Sequence, residues 1–253
     1  MSLARLSAAA RSRSVKGAAR LSVKTGYWPV RGPATDRCDV MAVMQARAEA
    51  TRRTILDTAV DLFGRLGFAN VQLVDLLAAT HLSKGAFYYH FPNRESVATA
   101  IIEEADAKLR AATVDIFADS SSPMMANFIR SVFAVADLNS RDPLVRVGVE
   151  LRGGLGHISP ASEGYAQHVG LFTDAVREAI AQGDLRAGMD AEPVAFTLWS
   201  AILGTYQHCE AAGEDLRARL AEVLEVIIPG ICTPDSAQEY LRFVSDAAGQ
   251  RVS

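Results

Sequence analysis

The sequence predicts an all-α protein, and three observations carry that prediction. Apolar residues recur at spacings of three and four along most of the chain, as in Ile55, Leu56, Ala59, Val60, Leu62, Phe63 and Leu66. Alternating apolar and polar runs bounded by turn residues are absent, so strands are not expected. The helical segments are also punctuated where helices start and stop: Gly67 after the first, Ser83 before the third, Pro92-Asn93 between the third and fourth.

The first long helix is expected from about Gln45 and ends at Gly67, a residue suited to a positive φ. "VQLVDLLAAT" reads as a short second helix that turns Leu73, Leu76 and Leu77 inward, with Asn70 or Gln72 at its start. "HLS" is a tight turn, and Ser83 is the N-cap of a third helix beginning at Lys84. Asn93 caps the fourth. Longer amphipathic helices follow at about 93–118, 123–139, 143–151, 161–182, 191–213 and 215–229, with a Gly-rich break at 153–160. The last stretch, 233–253, reads as a polar tail holding at most one short helix.

Charge is unevenly placed. The chain is 49% hydrophobic with a formal net charge of −3, yet residues 1–44 hold eight basic and two acidic residues. That segment reads as a disordered basic tail, or as sequence ahead of a true start at Met41 or Met44. The acidic remainder means that any nucleic-acid contact comes from a local patch. Cys38, Cys209 and Cys232 are too few and too scattered for a disulfide framework, which fits a reducing cytoplasm. No apolar run approaches the roughly 20 residues of a membrane helix.

Enzymatic readings find no footing. There is no Gly-x-Ser-x-Gly elbow, no Glu-x-x-His pair, no His-Glu-x-x-His and no Walker sequence. "GGLGHIS" at 153–159 follows no strand, so a dinucleotide loop is not expected. No catalytic residue, metal site or cofactor is predicted. The rival classes are a helical bundle that binds a small molecule without DNA, and an enzyme of unrecognised type.

The most telling segment is "LSKGAFYYHF", residues 82–91. Three short helices with a tight turn between the second and third make a helix-turn-helix, whose third helix lies in the DNA major groove. Lys84 offers charge to a phosphate or guanine edge. Gly85 and Ala86 keep the helix surface low. Phe87 faces inward onto Leu62 and Leu76. Tyr88, Tyr89 and His90 carry polar tips on rigid rings, suited to phosphate oxygens. Arg94 and the amides at the next helix start are expected to add a phosphate site.

Residues 47–101, on the words "TRRTILDTAVDLFGRLGF" and "LSKGAFYYHFPNRESV", resemble the N-terminal domain of the tetracycline-repressor-like (TetR) family. The resemblance implies a homodimer that binds a double-stranded DNA operator and responds to a small-molecule effector. It implies DNA contacts at Gln72, Ser83, Lys84, Gly85, Ala86, Tyr88, Tyr89, His90 and Arg94. It divides the chain into a tail at 1–44, a DNA-binding domain at 45–101, an all-α effector-binding and dimerisation domain at 102–232, and the tail at 233–253. Two positions depart from the family pattern: Val71 stands where a Thr usually caps the second helix, and His81 replaces the glycine of the turn. Histidine tolerates a left-handed conformation better than most residues.

The larger half is similar to the γ-butyrolactone autoregulator receptors, on "SRDPLVRVGVEL", "AIAQGDLRAGMD", "WSAILGTYQHCEAAGEDL" and "VIIPGI". Counting back from Gly183, the position of that branch's pocket tryptophan falls at His168, so a more polar or differently shaped effector is expected. Helical spacing puts Tyr165, His168 and Phe172 on one face, and Phe196, Trp199 and Leu203 on another. These six are the candidate effector-binding residues, and ordinary core packing is the alternative for each. Two apolar stripes, Leu216-Leu220-Val223-Leu224-Ile227-Ile228 and Trp199-Ile202-Leu203-Tyr206, suit either a dimer seam or the interior of one subunit.

Overall fold

The computed structural model of the chain describes the backbone of residues 35–155 and 159–249, and the side chains of 40–153, 155 and 170–249. The chain divides into two units, Met1–Met44 and Gln45–Ser253. Ten α-helices occupy the described residues: α1 (Thr35–Leu66), α2 (Leu73–Thr80), α3 (Lys84–His90), α4 (Arg94–Ala118), α5 (Met124–Arg141), α6 (Pro143–Gly154), α7 (Ser159–Gln182), α8 (Ala191–Ala212), α9 (Leu216–Ile231) and α10 (Pro234–Gly249). No named strand occurs among them; Leu185 and Cys232 form an isolated antiparallel bridge.

Local chemistry sets the ends of the first four helices. Gly67 closes α1 with φ at 77°, a conformation that costs glycine little. At the start of α2 the Asp75 carboxylate accepts from the Gln72 amide at 2.7 Å. His81 ends α2 in the left-handed region, φ 54° and ψ 19°, so the turn forms without its customary glycine. Ser83 Oγ accepts from the Ala86 amide at 3.2 Å to cap α3. Asn93 and Ser96 cap α4 reciprocally: Asn93 Oδ1 accepts from the Ser96 amide at 2.7 Å, and Ser96 Oγ from the Asn93 amide at 3.3 Å.

Two apolar cores result. The first joins Ile55, Leu56 and Phe63 of α1, Leu76 of α2, Phe87 of α3, and Val97 and Ile101 of α4. Leu144, Val147 and Leu151 of α6 complete it, so residues 45–101 do not close this core alone. Phe87 is fully buried, and burial of one such ring contributes about 1.5–3 kcal/mol. The second core gathers α5, α7, α8, α9 and α10 around Phe128, Ile129, Val176, Leu198, Leu220, Leu224 and Tyr240.

One expectation is corrected and two open alternatives are resolved. Helix α1 begins at Thr35, not near Gln45. The polar tail does hold one helix, α10, of 16 residues, which buries Ala237, Tyr240 and Val244 and packs on α9 and α5. Those residues lie three and four apart, so a polar composition conceals one apolar face. Of the two stripes that suited either a dimer seam or the interior of one subunit, the greater part is turned inward: Leu220, Leu224 and Ile228 are fully buried and Trp199, Ile202 and Tyr206 nearly so, while Leu203, Leu216, Val223 and Ile227 are half-buried. The large apolar side chains left exposed on α8 and α9 are Phe196 and Val226. The Gly-rich break falls between α6 and α7, where residues 156–158 are outside the described ones.

Candidate nucleic-acid interface and internal cavity

Helix α3 is held by Phe87 and presents its other side to solvent. Gln72, Ser83, Lys84, Gly85, Tyr88 and Tyr89 are exposed, with Ala86 and His90 half-buried. Tyr89 is 79% exposed, which excludes it as a packing residue; its ring meets His90 edge-on at 5.0 Å. A Cβ built on Gly85 would meet nothing within 4 Å, so the backbone there is open to an approaching surface.

Arg94 departs from expectation. Its Nη1 donates to the carbonyls of Val71 at 2.6 Å and Phe68 at 3.2 Å, and its guanidinium lies over the Phe68 ring at 4.1 Å. Nη2 pairs with Glu95 at 3.2 Å. The side chain thus ties the first turn of α4 to the short 3₁₀ turn Phe68–Asn70 and the entry of α2, rather than standing free toward a phosphate. Sequence spacing could not reveal this, because the accepting carbonyls are more than twenty residues away.

Further along α4 a cavity of about 90 Å³ opens inside the bundle. Leu109, Arg110, Thr113 and Phe117 of α4 form one wall; α5 supplies Ser131, Val132 and Val135, and α6 supplies Val149 and Arg152. Leu171 and Phe172 of α7 and Trp199, Ile202, Leu203 and Tyr206 of α8 complete it. Three expected residues are therefore there: Phe172, Trp199 and Leu203. Phe172 meets Trp199 edge-on at 5.2 Å and Phe128 at 5.0 Å. Phe196 is not in the cavity; it is 57% exposed and borders a surface recess with Asp190 and Pro193. The side chains of Tyr165 and His168 lie outside the described residues.

Spacing missed most of the cavity's polar groups. Arg152 forms a buried ion pair with Asp106 of α4, and burial pulls the pKa of its guanidinium down to about 10, still protonated at neutral pH. Burial, reinforced by the charge of Asp137, pushes the Tyr206 phenol upward, so it stays a neutral hydroxyl. These residues sit in amphipathic helices whose inward faces are chosen by packing, and their sequence signal was only that of a helix.

The same α4 serves both regions. Val97, Ala98, Ala100, Ile101, Ile102 and Ala105 lie in the first core; Leu109, Arg110, Thr113 and Phe117 line the cavity. Arg52 and Arg53 of α1 donate to Glu104 at 2.6 and 3.1 Å, and Lys108 pairs with Asp142, the N-cap of α6. Gly148 brings α6 so close that a Cβ there would collide with Ala105 Cβ.

No helix is long and apolar enough to cross a membrane, and no cluster of ligands suits a metal, among the described residues. Residues 55–101 match the family model "Bacterial regulatory proteins, tetR family", and residues 120–233 match "Tetracyclin repressor-like, C-terminal domain". The A-factor receptor protein of Streptomyces griseus is 26% identical over 196 residues, covering 75% of this chain and 67% of that protein. A solved gamma-butyrolactone receptor (ArpA like protein) is 28% identical with a TM-score of 0.68, covering 80% of this chain and 98% of the other. CprB from Streptomyces coelicolor, solved in complex with its biological operator sequence, is 28% identical with a TM-score of 0.66, covering 79% and 97%. With a helix-turn-helix head, a helical body around a cavity and both family models matched in order, the chain belongs to the tetracycline-repressor-like (TetR) family of DNA-binding transcription regulators and is not an enzyme.

Proposed function

We propose that the protein is a cytoplasmic, homodimeric repressor released from a pseudo-palindromic operator when a small amphipathic effector enters the internal cavity. The observation that carries this reading is the continuity of α4, which begins in the DNA-reading head at Arg94 and ends as a cavity wall at Phe117. Residues 45–101 act as the reader and 102–232 as the effector-binding and dimerisation part. Gln72, Ser83, Lys84, Gly85, Ala86, Tyr88, Tyr89 and His90 face the duplex, and Arg94 positions them.

At about 90 Å³ the cavity is far below the roughly 300–1,000 Å³ of a pocket that buries a drug-sized ligand. An effector must therefore widen it, and widening displaces α4. In a dimer this changes the distance between two reading helices that must match half-sites one helical turn, or a multiple of it, apart. Effector preference of about 10⁴-fold for the widened form turns nearly all of the population from bound to released. The similarity to a gamma-butyrolactone receptor supports a γ-butyrolactone-like effector, or one more polar or differently shaped, since His168 stands where that branch has its pocket tryptophan. A second subunit is met by the outer faces of α8 and α9, where Phe196 and Val226 are exposed.

The test is footprinting on DNA flanking the protein's own coding region, followed by a salt titration of the protected fragment. Wild type should protect a two-fold site, and Lys84→Ala should flatten the log–log salt dependence by about two units, one for each subunit, while leaving the fold intact. A strictly monomeric protein that ignores DNA at low salt would overturn the reading.

A further inference from the structure

Beside α3 lies a surface recess lined by Val74, Leu77 and Ala78 of α2, Leu82 of the turn, and Lys84 and Tyr88 of α3. Leu77 and Leu82 have a reason to be apolar, because both pack against the first core. Val74 has no such reason: it is 66% exposed and stands outside that core. Nor does the stability of α2 account for it, since a β-branched residue is a poorer helix former than Ala, Glu or Lys. A single exposed valine means little on an ordinary surface. Here it shares a recess with Lys84 and Tyr88, so its methyl groups are continuous with the side of α3 that meets DNA.

That continuity identifies what covers the recess. Base edges in the major groove present hydrogen-bond donors and acceptors, together with one apolar group, the 5-methyl of thymine. A phosphate suits the spot badly. Asp75, the next residue along α2, is exposed, and its carboxylate accepts from the Gln72 amide at 2.7 Å. This corner of α2 therefore carries negative charge and has one amide fewer to offer an anion. A methyl group gains from burial against Val74. Valine is stiff at χ1 in a helix, so it loses little freedom in making the contact.

We propose that this recess takes the 5-methyl group of a thymine in each operator half-site, with Val74 as the residue that selects it. Lys84, at the rim, anchors the duplex without reading the methyl. The inference rests on the DNA-binding reading and adds a base-selecting residue on α2, the helix that otherwise supports α3.

The test starts from the duplex that the wild-type protein enriches from a random pool. Each thymine is replaced in turn by uracil, which lacks only the 5-methyl, symmetrically in both half-sites, and affinity is read by fluorescence anisotropy. At least one position should weaken binding by about fourfold per half-site, as expected for burial of one methyl, and so by about fifteenfold for the symmetric duplex. 5-Bromouracil at that position, whose bromine fills the place of the methyl, should restore affinity. Val74→Ala leaves the core untouched, because the side chain is exposed. It should bind the thymine and uracil duplexes equally, with the salt slope of wild type. Lys84→Ala should do the reverse, flattening the slope while keeping the thymine preference. Indifference of wild type to every uracil replacement, or a thymine preference that survives in Val74→Ala, would overturn the inference. So would a Val74→Ala protein that weakens on all duplexes alike, the mark of a sugar–phosphate contact. Failure of wild type to enrich any duplex would sink the proposed function, and this inference with it; enrichment without methyl sensitivity sinks the thymine recess alone.

Discussion

Arg94, in the first turn of α4, donates from Nη1 to the carbonyl oxygen of Val71 at 2.6 Å. Val71 immediately precedes the N-cap residue of α2, so this bond fastens the helix that lines the cavity to the helix that supports α3. A guanidinium suits the task, since its planar fork reaches the Phe68 carbonyl as well while lying on the Phe68 ring.

Arg94→Ala should destabilise the protein by about 2–3 kcal/mol, from hydrogen bonds to a charged donor on a largely buried side chain. Arg94→Lys should recover little, because an ammonium cannot span both carbonyls and the ring. Denaturant unfolding measures both. Operator affinity should fall in both variants with the salt slope nearly unchanged, in contrast to Lys84→Ala. A stable Arg94→Ala protein with a reduced salt slope would return this residue to the phosphate contacts.

Gly148→Ala sets two effects against each other. Helix propensity favours alanine by about 1 kcal/mol, whereas overpacking costs about 1–3 kcal/mol. The new methyl would sit well inside van der Waals contact distance of Ala105 Cβ, which is in a helix and cannot swing away, so overpacking wins. The variant should melt lower and bind operator less tightly, because α4 is pushed from α6. Adding Ala105→Gly should restore both. Calorimetry and gel shift on the single and double variants check the pair.

Asp142 caps α6 by accepting from the Leu144 amide at 2.9 Å, and it pairs with Lys108 of α4. Burial alone would raise its carboxyl pKa; the hydrogen bond and charge of Lys108, with the amides of Leu144 and Val145, outweigh that and hold it below the ordinary range. A depressed folded pKa stabilises above the unfolded value of about 3.9, and the contribution is lost as pH falls through the folded pKa. Asp142→Asn keeps the cap and should remove this acid-sensitive part of the stability. Asp142→Ala should cost a further ~1 kcal/mol at neutral pH through the lost cap. Melting temperatures across the acid range separate the two.

Trp199→Ala should leave ligand-free operator binding and dimerisation intact while altering the effector concentration needed for release. Its ring lies in the cavity wall against Phe172, and 7% of it is exposed. Sedimentation and effector titration of the operator complex read the two properties separately. Loss of the dimer would place Trp199 at a subunit contact instead.

The helical class, nearly every helix boundary, and the caps at Ser83 and Asn93 were determined by the sequence itself. So was the left-handed His81, since caps and turns depend on chemistry between residues two to four apart. The exposed ring-bearing side of α3 was legible for the same reason, because one buried residue, Phe87, fixes the rotation of a short helix. Tertiary structure decided which of several apolar stripes turned inward. It buried Leu220 and Leu224, left Phe196 outside, and found in the polar-looking α10 a face for the second core. It also decided the allegiance of Arg94 and gathered Arg152 and Tyr206 from two helices around one cavity. Helical periodicity says that a side chain shares a face with its neighbours. What that face meets depends on packing between segments far apart in the chain, where burial and hydrogen-bond satisfaction are settled together.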